Sequence, residues 1–186
     1  MPSVCDGNQR GWFRVCSGTL IDPAVFLTAG HCTDGFDGLE VALVTFDSEF
    51  SWGGDFVSGT PHTHPEFNWF ETWPFPNNYD VGVVVLSEAV EMDEYGQLPD
   101  IGAVDELKAL PGPPQILTVV GYGTNGILPN PHDEEWYLTR YNAEPQLIKD
   151  NSSIAADAYM RLSSNPGKGG GTGGTCFGDS GGPALF

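Results

Sequence analysis

The chain has 186 residues, and 25 acidic against 7 basic side chains give it a formal charge of −18. A nucleic-acid clamp is excluded, because such binding is driven by a basic face that releases counterions, and seven cations among so many acids cannot assemble one. Apolar residues at 40% supply a core and exclude general disorder, while 25 glycines and 15 prolines point to many turns, few long helices and an all-β fold.

In chain order, residues 14–21 read as a strand that stops at the turn signal Asp22-Pro23, and residues 25–29 read as the return strand of a hairpin. Further strand-like runs are 41–46, 81–86, 115–120 and 135–141, separated by Gly, Pro, Asn and Asp clusters, the pattern of a sandwich or barrel. Only 100–110 and 152–162 have helical character. Leu110-Pro111-Gly112-Pro113-Pro114 reads as a linker, because adjacent prolines supply no ladder donors; a boundary near residue 108 divides the chain into units 1–108 and 109–186. Residues 166–174, dominated by glycine, read as a mobile loop or as backbone that approaches something closely. The longest apolar run, 81–86, is too short to cross a bilayer, and the start Met1-Pro2-Ser3-Val4-Cys5-Asp6 has no basic-then-apolar signal pattern, so no membrane partner is expected.

Cys5, Cys16, Cys32 and Cys176 allow three pairings and include no Cys-x-x-Cys pair, which disfavours zinc. The spacing of Cys16 and Cys32 suits a disulfide closing a loop of about 15 residues, worth roughly 3 kcal/mol in the loop-entropy description. Such a bond implies an oxidising compartment, with the acidic surface serving solubility; buried free thiols in a reducing compartment are the alternative.

The segment carrying most chemistry is Thr175-Cys176-Phe177-Gly178-Asp179-Ser180-Gly181-Gly182-Pro183. A serine between glycines can occupy a tight turn that exposes its hydroxyl and converges backbone N–H groups, the arrangement that stabilises an oxyanion. A nucleophilic serine also needs a base and a group that orients it. His31, at the end of the 25–29 strand, and Asp80, at the head of the apolar 81–86 strand, are the candidates.

Leu27-Thr28-Ala29-Gly30-His31-Cys32, Asn78-Tyr79-Asp80-Val81 and Gly178-Asp179-Ser180-Gly181-Gly182-Pro183 resemble, in that order, the three signatures of trypsin/chymotrypsin-like serine peptidases. Cys16-Ser17-Gly18-Thr19-Leu20-Ile21, His64-Pro65-Glu66-Phe67-Asn68 and Val119-Val120-Gly121-Tyr122-Gly123-Thr124 support the match, which spans roughly residues 13 to 186. The resemblance implies two antiparallel six-stranded β-barrels, the first carrying His31 and Asp80 and the second, incomplete, carrying Ser180. It implies Ser180 as nucleophile, His31 as general base and then acid, Asp80 as the partner fixing the imidazole tautomer, and the N–H groups of Gly178 and Ser180 as the oxyanion hole. Gly174, Thr175 and Phe177 fall at substrate-binding positions, and Cys16 pairs with Cys32. The implied protein is a secreted, monomeric endopeptidase acting on polypeptides, with no cofactor and no metal. A pseudopeptidase that keeps the fold as a protein-binding module is the alternative.

Departures from the pattern carry expectations of their own. Gly30 stands where the family usually has alanine, which loosens the backbone. The chain stops at Phe186, ahead of strands that would complete the second barrel, and Cys5 and Cys176 are left without evident partners, as in a fragment of a longer reading frame. Residues 1–15 contain no Ile-Val-Gly-Gly type of start, whose amine pairs in the family with the aspartate before the serine; Asp179 therefore needs another cation, and Arg14 is the candidate. Gly174 lacks the carboxylate that selects Arg or Lys side chains, so neutral, apolar residues are expected in the primary pocket, with the aromatic stretch 69–76 beside the cleft. His62 and His64 read as surface residues in preference to a metal pair, and Asp47, Glu49 and Asp55 leave calcium open without predicting it.

Overall fold

The computed structural model describes residues 16–34, 40–68, 78–124, 139–148, 159–164 and 173–186. The expected hairpin opens the fold: β1 (Thr19–Asp22) and β2 (Val25–Thr28) pair antiparallel, with Thr19 opposite Leu27. Asp22 terminates β1 by accepting the Ala24 N–H on its own carboxylate at 3.1 Å, the local competition with the ladder that makes Asp a turn former. A single helical turn, α1 (Gly30–Thr33), follows, and then β3 (Ala42–Val44), β4 (Val57–Thr63) and β5 (Gly82–Leu86) complete an antiparallel sheet in the order β1-β2-β5-β4-β3.

The valine-rich β5 lies at the centre because it is apolar enough to be paired on both edges, with Val84 opposite Phe26 on one side and Pro61 on the other. Its alternate residues Val84 and Leu86 turn inward and, with Leu20 and Val44, form the buried core, while the intervening Val85 is exposed. Each such side chain contributes about 1.5–3 kcal/mol by leaving water. Phe26 and Phe46 meet edge-to-face over this core, ring centres 6.1 Å apart.

The strand β4 has no counterpart among the runs expected from sequence, since Gly59 and Pro61 argue against a ladder. It is tolerated because β3 pairs with β4 only from Val57 to Gly59. Pro61 is therefore beyond the reach of β3 and is paired on one side only, with β5.

The second sheet is antiparallel in the order β7-β6-β8, built from β6 (Thr118–Gly121), β7 (Tyr141–Ala143) and β8 (Ala184–Leu185). Beneath it Leu117 and Leu147 are each 1% exposed. The expected helix at 100–110 is α2 (Ala103–Ala109), a surface connector with acids in its first turn and Lys108 in its last, in line with its dipole. The boundary expected near residue 108 falls inside it. Most of the expected strand 135–141 and helix 152–162 lies outside the described residues; residues 159–162 are non-helical, and Leu162 bridges to Leu147. Hydrogen bonds between the two halves include those in which Arg140 donates its backbone N–H to the Ser48 carbonyl (2.7 Å) and its guanidinium to that of Phe46 (3.0 Å), and the Tyr122 hydroxyl donates to that of Asp47 (2.5 Å).

Candidate active site

The imidazole comes from α1, the turn that follows β2 on the sheet. The Cys32 N–H bonds to the Ala29 carbonyl and the Thr33 hydroxyl to that of Gly30, which winds the chain just where His31 leaves the strand. The carboxylate comes from the head of β5. Tyr79, immediately before it, sits in the left-handed region at φ 50°, a conformation costing a bulky residue about 1–3 kcal/mol. That bend is held by stacking of the Tyr79 ring on His64 at 4.9 Å and by Asn78, whose Oδ1 accepts the Asp80 N–H at 3.3 Å and the Tyr159 hydroxyl at 2.9 Å. The stacking of His64, and the Glu66 N–H bonded to its Nδ1 at 3.2 Å, give that histidine a structural place.

Bent in this way, Asp80 meets His31 twice. Its Oδ2 lies 2.8 Å from His31 Nδ1, and its Oδ1 accepts the His31 backbone N–H at 2.7 Å. Partial burial pushes the Asp80 carboxyl up, but the hydrogen bonds and charge of His31 outweigh it, and the group is held below the usual carboxylate range. The carboxylate is therefore ionised near neutrality and can only accept, so the Nδ1 contact requires a proton on that nitrogen.

Ser180 lies in a tight turn between Gly178 and Gly181, whose φ of 97° and 80° are in the region that favours glycine; at Gly181 a Cβ would also stand 2.2 Å from the Thr28 hydroxyl. The Ser180 carbonyl accepts the Ser17 N–H at 2.9 Å and lies 3.8 Å from Cys32 Sγ. Because Cys32 is bonded to Cys16 and carries no proton, that second approach is a packing contact. The Ser180 loop thus rests against the disulfide next to His31, bringing together residues 149 positions apart in sequence.

Asp179 accepts the Gly123 N–H at 2.8 Å and the Cys176 N–H at 2.9 Å. Two amides serve the carboxylate in this way, and the expected partner Arg14 lies outside the described residues, as do Cys5 and the aromatic stretch 69–76. Gly174 and Thr175 line an open cavity of about 500 Å³ beneath β6 together with Tyr141, Asn142 and Cys176, while Phe177 is 63% exposed. Cys176 is a free thiol that accepts the Thr124 hydroxyl at 3.0 Å. His31, Cys16 and Cys32 come close enough together for a metal, but the two sulfurs are consumed in their own bond and offer no thiolate. Asp47 uses its Oδ2 to accept the Asp55 N–H. Among the described residues no helix is long and apolar enough to cross a membrane.

Sequence reasoning did not find Ser17, Asn78, Tyr122 or Tyr159 as parts of this site. Asn78 and Ser17 lay within quoted motifs with no role attached; Tyr159 reaches Asn78 across 81 residues and left no local signal.

A histidine–aspartate pair set on one antiparallel sheet, with a glycine-flanked serine loop packed against it from a second, defines the class of the chymotrypsin-like β proteins. The sequence profile described as Trypsin matches residues 4–186, and the chain belongs to the trypsin family, as a serine protease domain. Among solved structures, one titled "HL collagenase structure at 1.7A resolution" is similar with a TM-score of 0.61 at 22% identity, over 97% of this chain and 71% of that one. That likeness speaks for the fold.

Proposed function

We propose that this protein is a serine endopeptidase working through an acyl-enzyme at Ser180. The observation that carries the reading is the pair of hydrogen bonds that Asp80 accepts from His31, at 2.8 Å from Nδ1 and 2.7 Å from the backbone N–H, which orients the imidazole for Nε2 to act as the base. As the Ser180 oxygen attacks the peptide carbonyl carbon, His31 Nε2 takes its proton, and the carbonyl π electrons move onto oxygen. The Gly178 and Ser180 N–H groups bind that oxyanion, each worth about 3 kcal/mol in the transition state. The imidazolium then protonates the leaving amine as the C–N bond breaks, and a water molecule repeats the sequence to release the acid and restore the serine. Asp80 stays ionised throughout and balances the imidazolium charge.

Gly174 and Thr175 at the cavity support a preference for neutral, apolar side chains, since neither offers an anion to a lysine or arginine and the carboxylate of Asp179, which also lines it, accepts the Gly123 and Cys176 amides. The disulfide is consistent with secretion. The protein acts as a monomer on polypeptides.

Treatment with a fluorophosphonate probe tests the assignment. The wild-type chain is expected to be labelled stoichiometrically, with Ser180→Ala and His31→Ala unlabelled. Folded wild-type protein that stays unlabelled would instead make it a binding module on a peptidase fold.

A further inference from the structure

Ser17 is 3% exposed and uses every polar atom it has on neighbours of the active site. Its hydroxyl has one proton, which goes to the Gly178 carbonyl at 3.0 Å, and a lone pair of the same oxygen accepts the Tyr122 N–H at 3.0 Å. Its backbone N–H donates to the Ser180 carbonyl at 2.9 Å, and its own carbonyl accepts the Thr28 hydroxyl at 2.8 Å. A residue at the threshold of β1 therefore grips the serine loop at two points that flank Asp179.

The position of those grips gives them meaning. The two proposed oxyanion donors belong to the peptide before Gly178 and the peptide before Ser180. Between them lies the peptide joining Gly178 to Asp179, whose carbonyl is the one that Ser17 holds. Gly178, at φ 97° and without a side chain, offers little resistance to a change of its ψ, and such a change would turn the Ser180 N–H out of convergence with that of Gly178. The Tyr122 amide fixes the hydroxyl from the other side, so its proton can point only towards Gly178.

We propose that Ser17 is a positioning residue for the oxyanion hole, its hydroxyl locking the Gly178–Asp179 peptide so that the Gly178 and Ser180 amides converge. The inference rests on the reading of Ser180 as the nucleophile.

Ser17→Ala and Ser17→Gly delete the hydroxyl, and Ser17→Thr keeps it. On a peptide amide substrate each deletion is expected to lower kcat by roughly 10- to 100-fold with KM within about twofold, because the loss falls on the transition state. The inhibition constant of a peptidyl aldehyde, whose adduct places an oxygen in the hole, rises by a similar factor, whereas the affinity for the matching product peptide does not change. Ser17→Thr recovers most of kcat. A folded deletion with wild-type kcat and aldehyde affinity overturns the inference, as do losses shared equally by KM and product affinity, a threonine variant as slow as alanine, or failure of both deletions to fold. Wild-type protein labelled by fluorophosphonate while Ser17→Ala keeps full activity sinks this inference alone. Wild-type protein that is not labelled sinks the peptidase reading and takes the inference with it.

Discussion

At the scale of single residues, the proposed mechanism needs Asp80 ionised if His31 is to act as a base. The Asp80 pKa is lowered on folding, so the stability it contributes is fully present above the ordinary aspartate value of about 4 and is lost as pH falls through the folded value. Asp80→Asn has no such contribution. The gap in urea midpoint between wild type and Asp80→Asn is therefore expected to shrink as pH falls below the ordinary aspartate value of about 4; a gap that ignores pH there would show that His31 does not hold the carboxylate ionised. At neutral pH the same variant loses about 10⁴ in kcat, since an amide presents its N–H to Nδ1 and stabilises the wrong tautomer. His31 and Asp80 were legible in the sequence because each lies inside a short local motif at a strand end. Ser17, Asn78 and Tyr159 were not, because a hydroxyl meeting a carbonyl 161 residues away, or a tyrosine meeting an asparagine across 81, leaves no trace in local spacing.

At the scale of elements, the hairpin and its disulfide act as one unit. Cys16 precedes β1 and Cys32 lies within α1, with a Cα separation of 6.2 Å across 16 residues of chain. Reduction, or the paired change Cys16→Ala with Cys32→Ala, is expected to cost about 3 kcal/mol, read from urea unfolding with and without reductant. A loss well under 1 kcal/mol would mean that the β1–β2 ladder already restrains this stretch in the unfolded ensemble. The same segment shows why some elements could be read and others could not. β1, β2 and β5 announce themselves by β-branched and aromatic runs between turn residues. β4, with Gly59 and Pro61, looks like a loop, and only the early end of β3 explains how a proline is accommodated there. α2 was legible as the short helical stretch expected at 100–110, and the prolines that signal the linker come just after it.

At the scale of the whole molecule, the net charge of −18 and the proposed preference for uncharged side chains would act on different parts of a substrate. In that reading a pocket around Gly174 selects one side chain by contact, whereas the summed field acts on everything that approaches, over a distance of about 30 Å at 0.01 M salt and about 3 Å at 1 M. Peptides that share one apolar residue at the cleavage point but carry lysines or glutamates several positions away should therefore differ in encounter rate and not in the chemical step. At 0.01 M salt, kcat/KM for the lysine-flanked peptide is expected to exceed that for the glutamate-flanked one by about tenfold or more, with kcat nearly equal, and the ratio should fall to about two or less by 0.5 M. A ratio that persists at high salt would place the discrimination in direct contacts within the cleft. A ratio near one at every salt concentration would mean that the acidic side chains are distributed so that no net field reaches the active site, leaving solubility as their function.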